Sequence, residues 1–290
     1  MASRVRLGDG SFMSSGSMSS AARPRASIWA YRSLIWNFAQ RDLKSRFKGT
    51  VLGWAWSLMA PLATLLTYTL VFSVFFHNTA PDFGTGRTGF FAVWLLGGLV
   101  PWNFFLISIL ISMPTLLANG VLLQKVYFPS FAPILGAVLA ILVQTLIEFS
   151  LYAIVLMLFG NVGVTWLLFP VWLALFVAFV TGVALSLAIL NVHVRDLAQL
   201  TNVGLTLLFF LTPIIYQLNL VPAQWHGLPL QALMHLNPMV AFVDSLRNMS
   251  YGLQVPSLVT WMQLIAWTGG SVVLAFFVYR WRGLDIGEAI

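Results

Sequence analysis

The sequence has no cysteine, and that single absence excludes disulfides, thiolate metal sites and cysteine nucleophiles together. Charge is almost as scarce. Asp, Glu, Lys and Arg make up 8% of the 290 residues, against roughly 25% in soluble domains, while 59% are hydrophobic. A chain this poor in charge belongs in a bilayer. The lysines are Lys44, Lys48 and Lys125, preceded by Leu43, Phe47 and Gln124, so the Gly-Lys-Ser/Thr of a phosphate-binding loop is missing and ATP cannot be held in that way. His77, His193, His226 and His235 are scattered and no HExxH occurs, which leaves metal catalysis without support. With eight acidic residues a paired-carboxylate site is hard to assemble, so no catalytic residue and no metal ligand is assigned. The chain reads as a conduit rather than an enzyme. A net charge of +7 and a pI near 10.1 would suit a nucleic-acid binder, but the basic residues follow a membrane topology instead.

What the chain does have is apolar length punctuated by basic clusters. From Gln40 to Pro61 the run QRDLKSRFKGTVLGWAWSLMAP carries Arg41, Lys44, Arg46 and Lys48 straight into an apolar segment that ends at Phe76. Each of these cations costs roughly 2.5 to 3.5 kcal/mol at the centre of a bilayer, so the membrane boundary falls near Gly49. Six apolar segments predict spans at about 51–76, 90–113, 133–159, 166–190, 197–216 and 258–281, each near the roughly 20 residues that a crossing helix needs. With both termini cytoplasmic, nine basic residues before Gly49 share that side with Lys125, Arg195, Arg280 and Arg282, and only Arg87 and Arg247 fall outside. Moving the parity by one span breaks this inside-positive split. The fold class is therefore an all-α integral membrane protein with six transmembrane helices.

The segments between spans carry their own signals. Residues 1–26, rich in serine and arginine, lack the apolar core and cleavage site of a signal peptide and read as a disordered cytoplasmic tail. Ser27 then caps a predicted amphipathic helix over 27–48, with Trp36, Ala39, Leu43 and Phe47 on one side and Asn37, Arg41, Lys44 and Lys48 on the other. Such a helix lies in the cytoplasmic interface, with Trp29 and Trp36 at headgroup level. Residues 49–290 form the six-span domain. After the second span, Gly120 to Tyr127 is too short to cross and is bounded by Asn119-Gly120 and Phe128-Pro129, which predicts a short helix across the cytoplasmic face. The 47 residues from Leu197 to Val243 are charge-free, yet Pro213, Pro222, Pro229 and Pro238 cut them and polar side chains load their second half. Residues 218–255 are read as short external helices that dip back against the spans, because irregular backbone at that depth survives only under protein cover. No internal repeat is visible, so the inverted-repeat plan of many secondary transporters finds no support.

Glu148 is the one carboxylate well inside a predicted span. Such a residue is a candidate proton carrier, and equally a neutral acid bonded across a helix interface to Gln144 or Ser150. Asp42, Asp196 and Asp244 neighbour Arg41, Arg195 and Arg247, and these pairs read as surface electrostatics worth about 0 to 1 kcal/mol.

Taken in order, RDLKSRFKGTVLGWAWSLMAPL at 41–62, Asn119 with Leu122, Lys125 and Phe128-Pro129, NVHVRDL at 191–197, and LNPM with a downstream arginine from Leu236 to Arg247 resemble the membrane subunits of ABC exporters for O-antigen, teichoic acid and related cell-surface polysaccharides. The resemblance covers nearly the whole chain after residue 27. It implies a permease homodimer in a bacterial plasma membrane, paired with two copies of a soluble ATP-binding subunit, so that ATP and magnesium sit on the partner and no cofactor on this chain. It also implies six spans, a cytoplasmic interface helix, a coupling helix after the second span and external re-entrant helices before the sixth.

The same resemblance gives residues their roles. Gly120, Leu122, Lys125, Tyr127 and Phe128 would seat against the ATPase, and Arg41, Lys44, Arg46 and Lys48 would meet the phosphates of a lipid-linked polysaccharide entering from the inner leaflet. Those four cations also satisfy inside-positive bias without any ligand. Aromatic residues make up 14% of the chain, and rings stack on the C–H faces of sugars. Tyr68, Phe72 and Phe75, spaced i, i+4 and i+7, and Phe209, Phe210 and Tyr216 are the candidate pore lining, with lipid-facing packing as the alternative. Two other functions stay open: an ABC permease for a drug or small lipid, and a proton-coupled secondary transporter using Glu148.

Overall fold

The computed structural model describes residues 31–47, 55–120, 129–224 and 227–283. The predicted tail, Lys48, and the segment 121–128 with Leu122, Lys125, Tyr127 and Phe128 lie outside the described residues. Among those described there are nine α-helices and no strand, as the composition predicts. In chain order they are α1 (Arg32–Phe47), α2 (Trp56–Tyr68), α3 (Phe91–Ala118), α4 (Phe131–Leu158), α5 (Phe169–His193), α6 (Leu197–Phe210), α7 (Leu230–His235), α8 (Pro238–Ser250) and α9 (Leu258–Arg282). Four stretches are long and apolar enough to cross a bilayer: Phe91–Ala118, Phe131–Leu158, Val164–His193 and Leu258–Arg282. Capping is local and legible. Ser257 Oγ accepts from the Thr260 amide at 3.1 Å to start α9, and Arg280 and Arg282 occupy its last turn, where cations suit the negative end of the helix dipole.

Helices α3, α4, α5 and α9 pack side by side. The α5–α9 contact is made through small residues: a Cβ on Gly182 would stand 2.8 Å from the backbone of Ser271, and Ser186, Ser271 and Ala275 are buried. Without a hydrophobic driving force between helices in lipid, close backbone approach of this kind supplies the attraction. Helix α1 lies along the start of α4, where Tyr31 and Phe131 meet edge to face at 5.9 Å. At the other end of the bundle sits α8. Asn237 caps it by accepting from the Met239 amide at 2.9 Å and Pro238 fills its first turn. At 13 residues α8 is about 20 Å long, too short to cross, and it is surrounded. Phe242, fully buried, lies 4.9 Å from Phe176 and 5.0 Å from Phe179, and the Trp172 indole donates to Ser245 Oγ at 2.9 Å.

Three predicted elements differ. The fifth predicted span, 197–216, is helical only to Phe210, because Pro213 removes an amide donor and pushes Thr212 out of helical geometry; the 14 residues of α6 reach about 21 Å. The first predicted span starts as α2 and continues from Thr69 to Phe75 as a π-helix, which widens each turn. In α1 the buried residues are Phe38 and Ala39, whereas Trp36, placed on the same face by its spacing, is 48% exposed.

Candidate functional site

Helices α2, α3 and α6 enclose a groove of about 350 Å³. Its rings are Tyr68, Trp102, Phe209 and Phe210. Phe209 is the hub, with centroids 6.1 Å from Tyr68, 5.4 Å from Trp102 and 5.3 Å from Phe210. Between the rings stand Thr64, Asn103, Asn202 and Thr206, with Leu99, Leu106, Leu110 and Leu205 filling the wall. Asn202 and Thr206 are exposed on the protomer surface. The Thr206 hydroxyl donates to the Asn202 carbonyl at 3.0 Å, but the Asn202 amide has no business facing hydrocarbon, where an unsatisfied polar group costs several kcal/mol. Rings and polar groups in alternation suit instead a ligand with C–H faces and hydroxyls.

The structure brings five of the six predicted pore aromatics into one network. Tyr68 contacts Phe72 at 6.1 Å as well as Phe209, and the Tyr216 hydroxyl donates to the Phe210 carbonyl at 2.7 Å. Phe75 stands apart at 65% exposed. The π-helical turn is the reason: it moves the ring that follows Phe72 to Phe76, stacked at 5.9 Å. Trp102, Asn103, Asn202 and Thr206 escaped sequence reasoning, since single polar residues in apolar runs carry no periodic signal.

The other candidates lie elsewhere. Arg41 is exposed over the Phe38 ring at 4.9 Å and 3.5 Å from Asp42; Lys44 is exposed and Arg46 partly buried, with burial lowering its guanidinium from the ordinary arginine value against the opposing pull of Asp42. Gly120 is buried, two residues beyond the end of α3. Glu148 is 4% exposed, and its Oε2 has no hydrogen-bond partner among the described residues. It does not line the groove. A separate apolar cavity of about 430 Å³ lies between α4, α5 and α8, walled by Phe149, Tyr152, Leu156, Trp166, Phe169 and Leu246.

One reading is corrected outright. Arg247 is no surface partner of Asp244: it is 6% exposed and clamps three carbonyls, with Nε on Trp94 at 3.2 Å, Nη1 on Pro213 at 2.6 Å and Nη2 on Ile214 at 2.7 Å. Its guanidinium also lies 3.6 Å from the centroid of the Trp94 ring. Asn237 holds the residues just before, donating to the Thr212 hydroxyl oxygen at 2.8 Å and to the Leu211 carbonyl at 3.5 Å. So α8 satisfies carbonyls of the irregular segment that follows α6, which is what allows such backbone at this depth.

Comparison with known proteins follows the same line. The profile of the ABC-2 type transporter family matches residues 33–251. The O-antigen export system permease protein RfbA of Myxococcus xanthus is 29% identical over 265 residues, 91% of this chain and 97% of its own length. The protein of the same name from Klebsiella pneumoniae is 26% identical over 72% of this chain and 76% of its own, and the polysialic acid transport protein KpsM of Escherichia coli 25% identical over 83% and 90%. The family resemblance drawn from the motifs is borne out, and the chain belongs to the ABC-2 type transporter family, of which it forms a membrane-embedded, all-helical permease.

Proposed function

We propose that this chain is the transmembrane subunit of an ATP-driven exporter that moves a lipid-linked cell-surface polysaccharide out of the cytoplasm across a bacterial plasma membrane. The observation that carries the proposal is the groove, where rings and uncharged polar groups alternate on a face that plain hydrocarbon would not suit. Relatives whose names state O-antigen export and polysialic acid transport support the same substrate class. In this reading the chain crosses six times, α2 with its π-helical extension and α6 being the short crossings, both termini are cytoplasmic, and α7 and α8 form the external re-entrant region. Two copies face each other across their grooves, and two soluble ATP-binding subunits press on the 120–128 connection. Arg41, Lys44, Arg46 and Lys48 attract the phosphates of the lipid carrier.

The test is export in proteoliposomes holding the lipid-linked glycan, with and without the companion ATPase. Transport that needs both the ATPase and ATP supports the proposal; transport by this chain alone removes it. Glu148→Gln keeps its shape and loses its charge. Export by that variant within about twofold of wild type is expected, whereas abolition of export would move the mechanism to proton coupling.

The apolar cavity between α4, α5 and α8 favours a second reading, a permease for a small lipid or drug, because pockets of several hundred Å³ with apolar walls suit such ligands. Its mark is ATP-dependent movement of a fluorescent phospholipid by the same proteoliposomes, blocked by filling the cavity with Ala153→Phe.

A further inference from the structure

Beyond the groove, one cavity combines rings with polar side chains, two of which have no partner among the described residues. It measures about 150 Å³ and lies between the end of the π-helix, the first turn of α3 and the unwound segment after α6. A space this small suits one small polar ring rather than a lipid chain. Tyr216 supplies the accessible ring, with Trp94 and Phe91 buried behind it, and His77, Asn78 and Gln217 supply polar groups. Two of these walls are tied together, since Gln217 Nε2 donates to the Thr79 carbonyl at 3.0 Å. Arg247, stacked at 3.6 Å, fixes the Trp94 ring, and the bond from Tyr216 to the Phe210 carbonyl links the cavity to the groove rings. The side chains of His77 and Asn78 have no hydrogen-bond partner among the described residues, although both line the cavity. His77 holds φ 54°, a left-handed conformation uncommon outside glycine, at the turn that delivers the two side chains.

Position along α3 gives the cavity its meaning. The groove occupies Leu99 to Leu110 and the cavity Phe91 to Trp94, so the second lies nearer the start of the same helix, about 12 Å beyond Trp102 at 1.5 Å per residue. We propose that this cavity is a subsite for a single pyranose unit, the last ring contact that an exported glycan makes before leaving the protein. The inference rests on the export reading above. Tyr216 stacks on the C–H face of the sugar, and Asn78 and His77 bond its hydroxyls.

The deciding experiment is saturation-transfer NMR on the permease–ATPase complex in nanodiscs, with methyl α-mannopyranoside, methyl β-galactopyranoside, methyl α-rhamnopyranoside and the methyl glycoside of N-acetylglucosamine as probes. At least one glycoside is expected to take up saturation from aromatic protons, and to lose threefold or more of it in Asn78→Ala and in Tyr216→Leu. Tyr216→Leu also removes a bond to the Phe210 carbonyl, so Asn78→Ala, which removes no bond within the described residues, decides. Equal signals in wild type and Asn78→Ala, or no signal from any glycoside, overturn the subsite. Surface display of glycan by cells carrying wild type is read in parallel. Display without a glycoside signal that depends on Asn78 leaves export standing and the subsite refuted. A signal that depends on Asn78 without display keeps the subsite and refutes export.

Discussion

At the scale of single residues, Arg247 shows what a cation does when it is buried beside carbonyls instead of carboxylates. Its three donors satisfy Trp94, Pro213 and Ile214, and a Cβ on Gly98 would collide with Nη2, so the glycine is part of the clamp. Removing a buried charged partner typically costs about 3 to 5 kcal/mol, because the groups left behind are orphaned. Arg247→Met is expected to lose about that much. Gly98→Ala is expected to lose part of it by displacing the same guanidinium. The two share one partner, so in thermal unfolding of the detergent-solubilised protein their double variant should lose clearly less than the sum. Additive losses would mean that Gly98 acts independently. The sequence offered Arg247 only a neighbour, Asp244, three residues away. Its partners stayed hidden, because a carbonyl acceptor exists at every residue and leaves no mark in a sequence.

Among elements, hydropathy made the long helices legible and local chemistry made several boundaries legible too. Asn237-Pro238 announces α8, and Pro213 announces the end of α6, although the apolar run through Tyr216 hid the stop. The π-helix after Tyr68 has no such marker, which is why the spacing of Phe75 misled while that of Phe72 did not. Packing between elements leaves a fainter trace, in small residues. Gly182 touches the Ser271 backbone at the α5–α9 contact, while Gly270, one residue earlier on α9, has open space around its Cβ position. Gly182→Val therefore overpacks and should destabilise by roughly 1 to 3 kcal/mol. Gly270→Val should leave the melting profile unchanged or raise it, since glycine is a poor helix former. Size-exclusion profiles after graded heating would separate them, and equal behaviour would show that the contact is not tight.

For the whole molecule the question is what covers the α2–α6 face. Leu62, Leu66, Leu200, Val203 and Leu207 are exposed there beside Gln199, Asn202 and Thr206. The apolar residues would tolerate lipid, as would the Thr206 hydroxyl bonded within its own helix; the amides are costly in it unless they bond across a helix interface or line water. The proposed second copy, related by a two-fold axis, would answer both demands, since the same patch would meet itself and the two grooves would close into one passage. The absence of cysteine gives a clean background for a test. Single cysteines introduced at Gln199, Asn202 and Thr206 lie on neighbouring turns of α6, and near a two-fold axis at least one of them falls within the roughly 4.4 to 6.8 Å between Cα atoms that a disulfide needs. Mild oxidation in native membranes should trap a covalent dimer for at least one of these positions. Leu274→Cys, on the exposed side of α9, should give none. If α9 cross-links and α6 does not, the copies meet through the opposite side, the groove faces lipid, and a passage for a hydrophilic chain has to be sought elsewhere in the molecule.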